Sequence, residues 1–254
     1  MRSATRGTGH LPGGLNTVQD RGLAAYIAEL VGTFFLVFVI GTVVSLYLAV
    51  GGQAQFGSDF AVIGLVQGFV LFLLVTTLGG VSGAHLNPAV TLAASLMKKI
   101  EGVDAVVYVL AQLSGAVLGA LAVKGLLLDE GMAANYGALD VSPLLASNFA
   151  GMIVEAIGTF LLVLAVVAVA LNEKAWREWA PLTIGLTLGF LVMIFGPLTG
   201  AGFNPARWFG PALISEEWGG VWPFLVGPIV GGILAVLFFK FVIEAGEPKG
   251  KPEH

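Results

Sequence analysis

The sequence predicts an all-α membrane protein with six transmembrane helices and two re-entrant half-helices, arranged as an inverted repeat. Three observations predict it. Hydrophobic residues make up 57% of the chain and charged residues 11%, against roughly 25% charged in a soluble domain, so there is too little charge to cover a water-facing surface. Six apolar segments are long enough to span a bilayer, and two more are too short. The tripeptide Asn-Pro-Ala occurs twice, once in each half of the chain.

The elements follow in order. Residues 1–22 contain no apolar run and read as a polar cytoplasmic tail rather than a signal peptide. Spans are predicted at 23–50, 61–80 and 104–128, then at 148–171, 180–199 and 221–243. Each has the ~20 residues that ~30 Å of hydrocarbon requires. The pieces Asn87–Met97 and Asn204–Ile214 have 11 residues each, about 16 Å of helix, which is half a crossing. Gly79, Gly80, Ser82 and Gly83 predict a break between span two and the first short piece. Residues 244–254 read as a second polar tail.

Charge fixes an orientation. Arg2, Arg6, Arg21, Lys98, Lys99, Lys174, Arg177, Lys240, Lys249 and Lys251 fall on one side if both short pieces are re-entrant. The opposite loops carry Asp59, Asp129, Glu130, Asp140, Glu216 and Glu217. By the positive-inside rule both termini are expected on the cytoplasmic side, and the chain is expected to be a multi-pass protein of the plasma (inner) membrane. A net charge of −4 argues against a nucleic-acid partner. There is no cysteine, and the three histidines lie far apart, so neither a metal motif nor a thiol site is expected. No nucleophile–base pair is legible, which argues against an enzyme, and no cofactor is expected.

The halves repeat. Glu29-x-x-Gly32-Thr33-Phe34 returns as Glu155-x-x-Gly158-Thr159-Phe160, and Ile63-Gly64-Leu65 with Gly68-Phe69 returns as Ile184-Gly185-Leu186 with Gly189-Phe190. Three spans per half is an odd number, so the second half enters from the opposite side; repeats of this kind put the functional site at the midplane. Glycine pairs four apart occur at Gly64/Gly68, Gly115/Gly119, Gly185/Gly189 and Gly227/Gly231. Glycine content alone gives several such pairs by chance, but the placement of these four in spans two and five, three and six predicts close crossings.

The doubled Asn-Pro-Ala carries the chemistry. Asn is a favoured N-cap and Pro suits the first helical position, so Asn87-Pro88-Ala89 and Asn204-Pro205-Ala206 each read as a helix start after a glycine-bearing loop. Two helix N-termini, each about half a positive charge, then face one another in mid-membrane, with Ala89 and Ala206 small enough to let them touch. Irregular backbone at that depth is tolerated only in protein or beside a cavity. Asn87 and Asn204 can aim amide donors into such a cavity, holding a water by its oxygen and interrupting the file along which protons hop. Arg207 is a basic residue near the membrane interior, which makes it a functional candidate. Glu29 and Glu155 are acids inside spans one and four and must face the bundle interior; their symmetric placement favours holding the re-entrant loops through backbone N–H groups.

The stretches Ser82-Gly83-Ala84-His85-Leu86-Asn87-Pro88-Ala89-Val90-Thr91 and Gly202-Phe203-Asn204-Pro205-Ala206-Arg207, together with Tyr108-x-x-x-Gln112-x-x-Gly115 in span three, resemble the signature loops of the aquaporin (major intrinsic protein) family. The resemblance covers about residues 23–243, read as one channel domain with repeat halves at about 23–128 and 148–243. It implies a homotetramer with one pore per subunit, bathed in membrane lipid. It also implies a passive channel for water that excludes protons and ions. Arg207 is thereby placed in a selectivity filter, and spacing from the motifs carries the other filter positions to Gln67, Val192 and Ala201. These residues match neither strict water channels of the family, which use Phe and His, nor glycerol facilitators, which use Trp, Gly and a loop Phe. Val192 and Ala201 are small, so the filter is expected to be relaxed and to admit small neutral solutes. His85 is implied to line the vestibule or brace its loop. The alternatives are a facilitator of glycerol or another small neutral solute, an ion-coupled secondary transporter using Glu29 or Glu155, and an adhesive membrane protein with a closed pore.

Overall fold

The computed structural model describes residues 22–49 and 58–246; most of the N-terminal tail, the end of span one at residue 50 and residues 247–254 lie outside them. The six spans are helices α1 (Leu23–Ala49), α2 (Ser58–Ser82), α4 (Gly102–Leu126), α6 (Asn148–Ala165), α7 (Ala180–Thr199) and α9 (Val221–Phe238). The half-helices are α3 (Pro88–Leu96) and α8 (Pro205–Ser215), and a short α5 (Leu128–Ala133) lies between the repeats. All six long helices meet the length and hydropathy of a membrane crossing. Large apolar side chains such as Phe35, Phe69, Leu110, Phe149, Ile194 and Phe241 stand exposed on the bundle, the arrangement of a surface that faces hydrocarbon.

The break before the first half-helix differs from expectation. Gly79 and Gly80 stay helical, and α2 runs on to Ser82. Gly83 N still donates to the Gly79 carbonyl at 3.0 Å, and the chain leaves the helix only where Gly83 takes a left-handed φ of +88°. Glycine lowers helix stability by only about 1 kcal/mol and does not forbid a helix; the left-handed turn is what ends it. The sixth span also outlasts its predicted end: the π-helical turn Phe239–Glu244 prolongs α9, as Val166–Ala170 prolongs α6.

Three pairs hold the bundle: α1 against α4, α6 against α9, and α2 against α7. A Cβ on Gly115 would lie 2.2 Å from the Leu30 carbonyl oxygen, and one on Gly231 would lie 2.2 Å from that of Ala156, so backbones touch at both crossings. In the third pair Gly68 faces the Gly185 carbonyl and Gly185 faces that of Gly68, where added Cβ atoms would sit at 2.7 and 2.6 Å. The same contact seen from each repeat is the internal two-fold of the chain. Without a hydrophobic force between helices in lipid, such close van der Waals contact is what holds them.

Candidate functional site

Each half-helix is started by its asparagine. Asn87 and Asn204 have extended backbone (φ −158° and −152°); Asn87 Oδ1 accepts from Ala89 N at 2.8 Å, and Asn204 Oδ1 accepts from Ala206 N and Arg207 N at 3.0 and 3.3 Å. Proline follows at the first helical position in both, where its missing N–H costs nothing.

The loops before them are bent alike. Gly83, Ala84 and Leu86 have φ of +88°, +46° and +50°; Gly200, Ala201 and Phe203 have +73°, +52° and +51°. Four of these six are not glycine, and such residues persist in the left-handed region only where surroundings fix them. The two buried acids do so. Glu29 accepts from Ser82 Oγ (2.6 Å), His85 N (2.9 Å), Leu86 N (2.7 Å) and Gln112 Nε2 (2.8 Å). Glu155 accepts from Thr199 Oγ1 (2.6 Å), Gly202 N (2.9 Å) and Phe203 N (2.6 Å). The glycine one turn after each acid makes room for the left-handed residue: a Cβ on Gly32 would lie 2.5 Å from Leu86 Cδ2, and one on Gly158 would lie 2.0 Å from Phe203 Cε1. Residues three apart share a helix face, so Glu-x-x-Gly holds a loop's backbone and seats its side chain with one stripe of helix.

The asparagines then cross over. Asn87 Nδ2 donates to the Phe203 carbonyl at 2.9 Å, and Asn204 Nδ2 donates to the Leu86 carbonyl at 2.9 Å. Each amide nitrogen has two hydrogens, and one goes to the opposite loop. Both asparagines line one cavity of about 380 Å³. Gln67, Gly202 and Arg207 join them on its polar wall, while Leu36, Ile40, Leu71, Leu162, Ile184 and Leu188 form an apolar wall. His85 lines the same cavity; its Nδ1 lies 3.2 Å from Thr91 Oγ1, and its ring packs edge-on to Tyr108. Val192 and Ala201 are buried in the main apolar core and do not lie on this cavity's lining. Neither Glu29 nor Glu155 lines it.

Arg207 is 3% exposed, and its Nη1 donates to the Gly137 carbonyl at 2.6 Å. Its Nε has no hydrogen-bond partner among the described residues, nor has Gln67 Nε2. The Gly137 carbonyl is a functional group that sequence reasoning misses. It is presented by the turn Asn135–Gly137, in which Asn135 and Tyr136 take φ of +48° and +53°. Sequence reasoning also passes over Ser82 and Thr199, the paired hydroxyls that bond the two acids; only their equivalent places just before the loops mark them. At the other end of the cavity, Lys99 and Arg177 line the mouth. Lys99 Nζ donates to Glu173 Oε1 at 2.7 Å, and Lys240 Nζ to the Leu96 carbonyl at 3.0 Å, a cation at the negative end of α3. The Lys99 hydrogen bond holds the exposed Glu173 carboxyl below the usual glutamate range.

A family model described as Major intrinsic protein matches residues 16–239. The glycerol uptake facilitator protein-like 6 of Lactiplantibacillus plantarum is 38% identical over 212 residues, covering 83% of this chain and 94% of that one. Aquaporin AqpM of Methanothermobacter thermautotrophicus is 35% identical over 244 residues, covering 85% and 96%. Among solved structures, the aquaglyceroporin from Plasmodium falciparum superposes with a TM-score of 0.72 at 27% identity, covering 87% of this chain and 96% of that one.

Proposed function

The chain belongs to the major intrinsic protein family, and from that premise we propose that it is a passive membrane channel for water, with a relaxed filter that admits small neutral solutes and excludes protons and ions. The observation that carries the proposal is the pair of asparagines on one cavity, each donating to the carbonyl of the other's loop. A water between them finds amide donors for its oxygen and two N-terminal helix ends around it, so a hydrogen-bonded proton wire breaks there and cations are repelled. The apolar wall opposite keeps the number of polar contacts small, which suits rapid passage.

Arg207 and Gln67 form the polar part of the filter, and Val192 and Ala201 complete the constriction beyond the cavity. The carbonyl bond at 2.6 Å fixes the Arg207 guanidinium, while the unpartnered nitrogens of Arg207 and Gln67 supply donors to a passing hydroxyl or water oxygen. Glu29 and Glu155 are loop supports. Their carboxylates are spent on the loops and lie off the cavity, which disfavours carboxylate-coupled transport. Lys98, Lys99, Lys174, Arg177 and Lys240 face the cytoplasm, with both termini on that side of the plasma (inner) membrane. The working unit is a homotetramer in lipid with one pore per subunit. No catalytic role is assigned to any residue.

A second reading, facilitation of glycerol or a similar solute, draws on the small Val192 and on the relatives named as a glycerol uptake facilitator-like protein and an aquaglyceroporin. Stopped-flow shrinkage of proteoliposomes under an impermeant osmolyte and under glycerol separates the two. Fast water flux with a protein-dependent glycerol component fits the relaxed filter. Water flux no faster than in empty liposomes removes the channel reading.

A further inference from the structure

We propose that the inner mouth of the cavity binds a small oxyanion, a carboxylate or phosphate, which sits on Lys99 and Arg177 and slows permeation; the effect on flux rests on the channel reading, whereas the binding does not. Among the described residues that line the cavity, the Lys and Arg side chains are Lys99, Arg177 and Arg207, and there is no Asp or Glu. Arg207 is buried at one end and held by the Gly137 carbonyl. The other two stand at the opposite end, where the cavity meets water.

Their arrangement already accepts an oxyanion. The Glu173 carboxylate, on the linker between α6 and α7, reaches 74 residues back in the chain to take a 2.7 Å hydrogen bond from Lys99. Arg177 acts on the same carboxylate through its charge, yet its guanidinium makes no hydrogen bond or ion pair with a described residue. Glu173 is thus an internal stand-in for a ligand of its own chemistry. It is held from a tight turn in which Asn172 Oδ1 accepts from Lys174 N at 3.0 Å. The side chain of Glu173 is 74% exposed, so the pair it makes is of the weak surface kind, worth little and screened by salt, and a free anion at millimolar concentration can displace it. An incoming oxyanion gains the planar donor fork of Arg177, which Glu173 leaves unused. Glu101 and Asp104 line a second, more open depression that shares Lys99 with the cavity; Asp104 accepts from Tyr26 Oη at 2.5 Å.

The test is a calorimetric titration of inorganic phosphate into the full-length protein in detergent, with chloride at equal ionic strength as the control. It is paired with stopped-flow water flux in proteoliposomes, each variant scaled to its own phosphate-free rate. Glu173→Gln removes the internal competitor and is expected to tighten phosphate binding about two- to fivefold, the range of one exposed ion pair. Arg177→Gln and Lys99→Gln are expected to weaken it, and fractional inhibition of flux follows the same order. Membranes of phosphatidylcholine alone, compared with membranes containing phosphatidic acid, tell a soluble anion from a lipid headgroup as its source. Inhibition by either that disappears in Arg177→Gln supports the site. Phosphate binding no tighter than chloride, or binding unchanged in Arg177→Gln and Lys99→Gln alike, overturns it while leaving water permeation intact. Phosphate binding in the expected order with no water flux retains the site and removes the channel.

Discussion

Replacing Glu155 by Gln should damage the protein more than replacing Glu29 by Gln, although the two acids are related by the internal two-fold. Gly115 packs on Leu30 and Phe34, and Gly231 on Ala156 and Phe160; in that register Gln112 of α4 corresponds to Pro228 of α9, so the second loop has no amide beside its acid. In Glu155→Gln the amide oxygen can keep the bonds from Thr199 Oγ1 and Gly202 N, each falling from charged to neutral strength. The new NH2 then faces the Phe203 N–H, leaving two buried donors unmet. The loss of about 1 kcal/mol on each retained bond and about 1–3 kcal/mol for each of the two unmet donors gives roughly 4–8 kcal/mol. In Glu29→Gln the new NH2 meets Gln112, whose Oε1 has no partner and can turn to accept it; the turn gives up the 2.9 Å bond from Gln112 Nε2 to Thr91 Oγ1, about 1 kcal/mol, so removing one unmet donor lowers the cost by at most about 2 kcal/mol. Thermal unfolding followed by tryptophan fluorescence in one detergent, with water permeability per mole of protein, reads both effects. Equal midpoints for the two variants, or a lower one for Glu29→Gln, would falsify the assignment of Gln112 as the element that separates the two loops.

Other expectations follow from the same geometry. Gly158→Ala drives a methyl into the Phe203 ring and should cost at least about 1–3 kcal/mol and abolish water flux; adding Phe203→Ala should restore the fold, and failure to do so means the clash is not the cause. Arg207→Ala should raise proton or cation leakage, read with a pH-sensitive dye inside proteoliposomes, while water flux stays substantial; unchanged ion exclusion removes it from the filter. Val192→His should narrow the constriction and cut glycerol flux relative to water, and glycerol flux equal to the parent contradicts the position assigned to Val192. Glu173 has its folded-state pKa depressed by Lys99. Its contribution is therefore present above the ordinary glutamate range and lost as pH falls through the lowered value; carboxyl NMR should show its titration moving upward in Lys99→Gln, and an unmoved titration means the pair does not persist in solution.

The spans and the half-helices were legible because their signals are local: length of apolar run, Asn-Pro at a helix start, and repetition. Glu29 and Glu155 were legible as loop supports because a carboxylate inside a span is too costly to leave without buried donors, and the neighbouring loops supply them. The full sense of Glu-x-x-Gly was not. That Gly32 and Gly158 receive Leu86 and Phe203 depends on those two residues taking left-handed φ, which no propensity predicts for Leu or Phe. The Gly137 carbonyl that holds Arg207 was hidden for a similar reason, since Asn135 and Tyr136 must both bend against preference to present it across 70 positions of chain. Conversely, Gly79 and Gly80 carry a strong local breaking signal, yet both stay helical, and the helix ends only at the left-handed Gly83.

The exchange of hydrogen bonds between the two loops bears on how the protein is made. Asn87 has its acceptor at Phe203, and Leu86 has its donor at Asn204, so the first loop is unfinished until more than a hundred further residues have been synthesised. With synthesis proceeding from the N-terminus, an early-inserted half carries an unpaired amide and carbonyl in the bilayer interior, a costly condition that gives the nascent chain reason to hold the first short helix near the aqueous side until its mirror partner arrives.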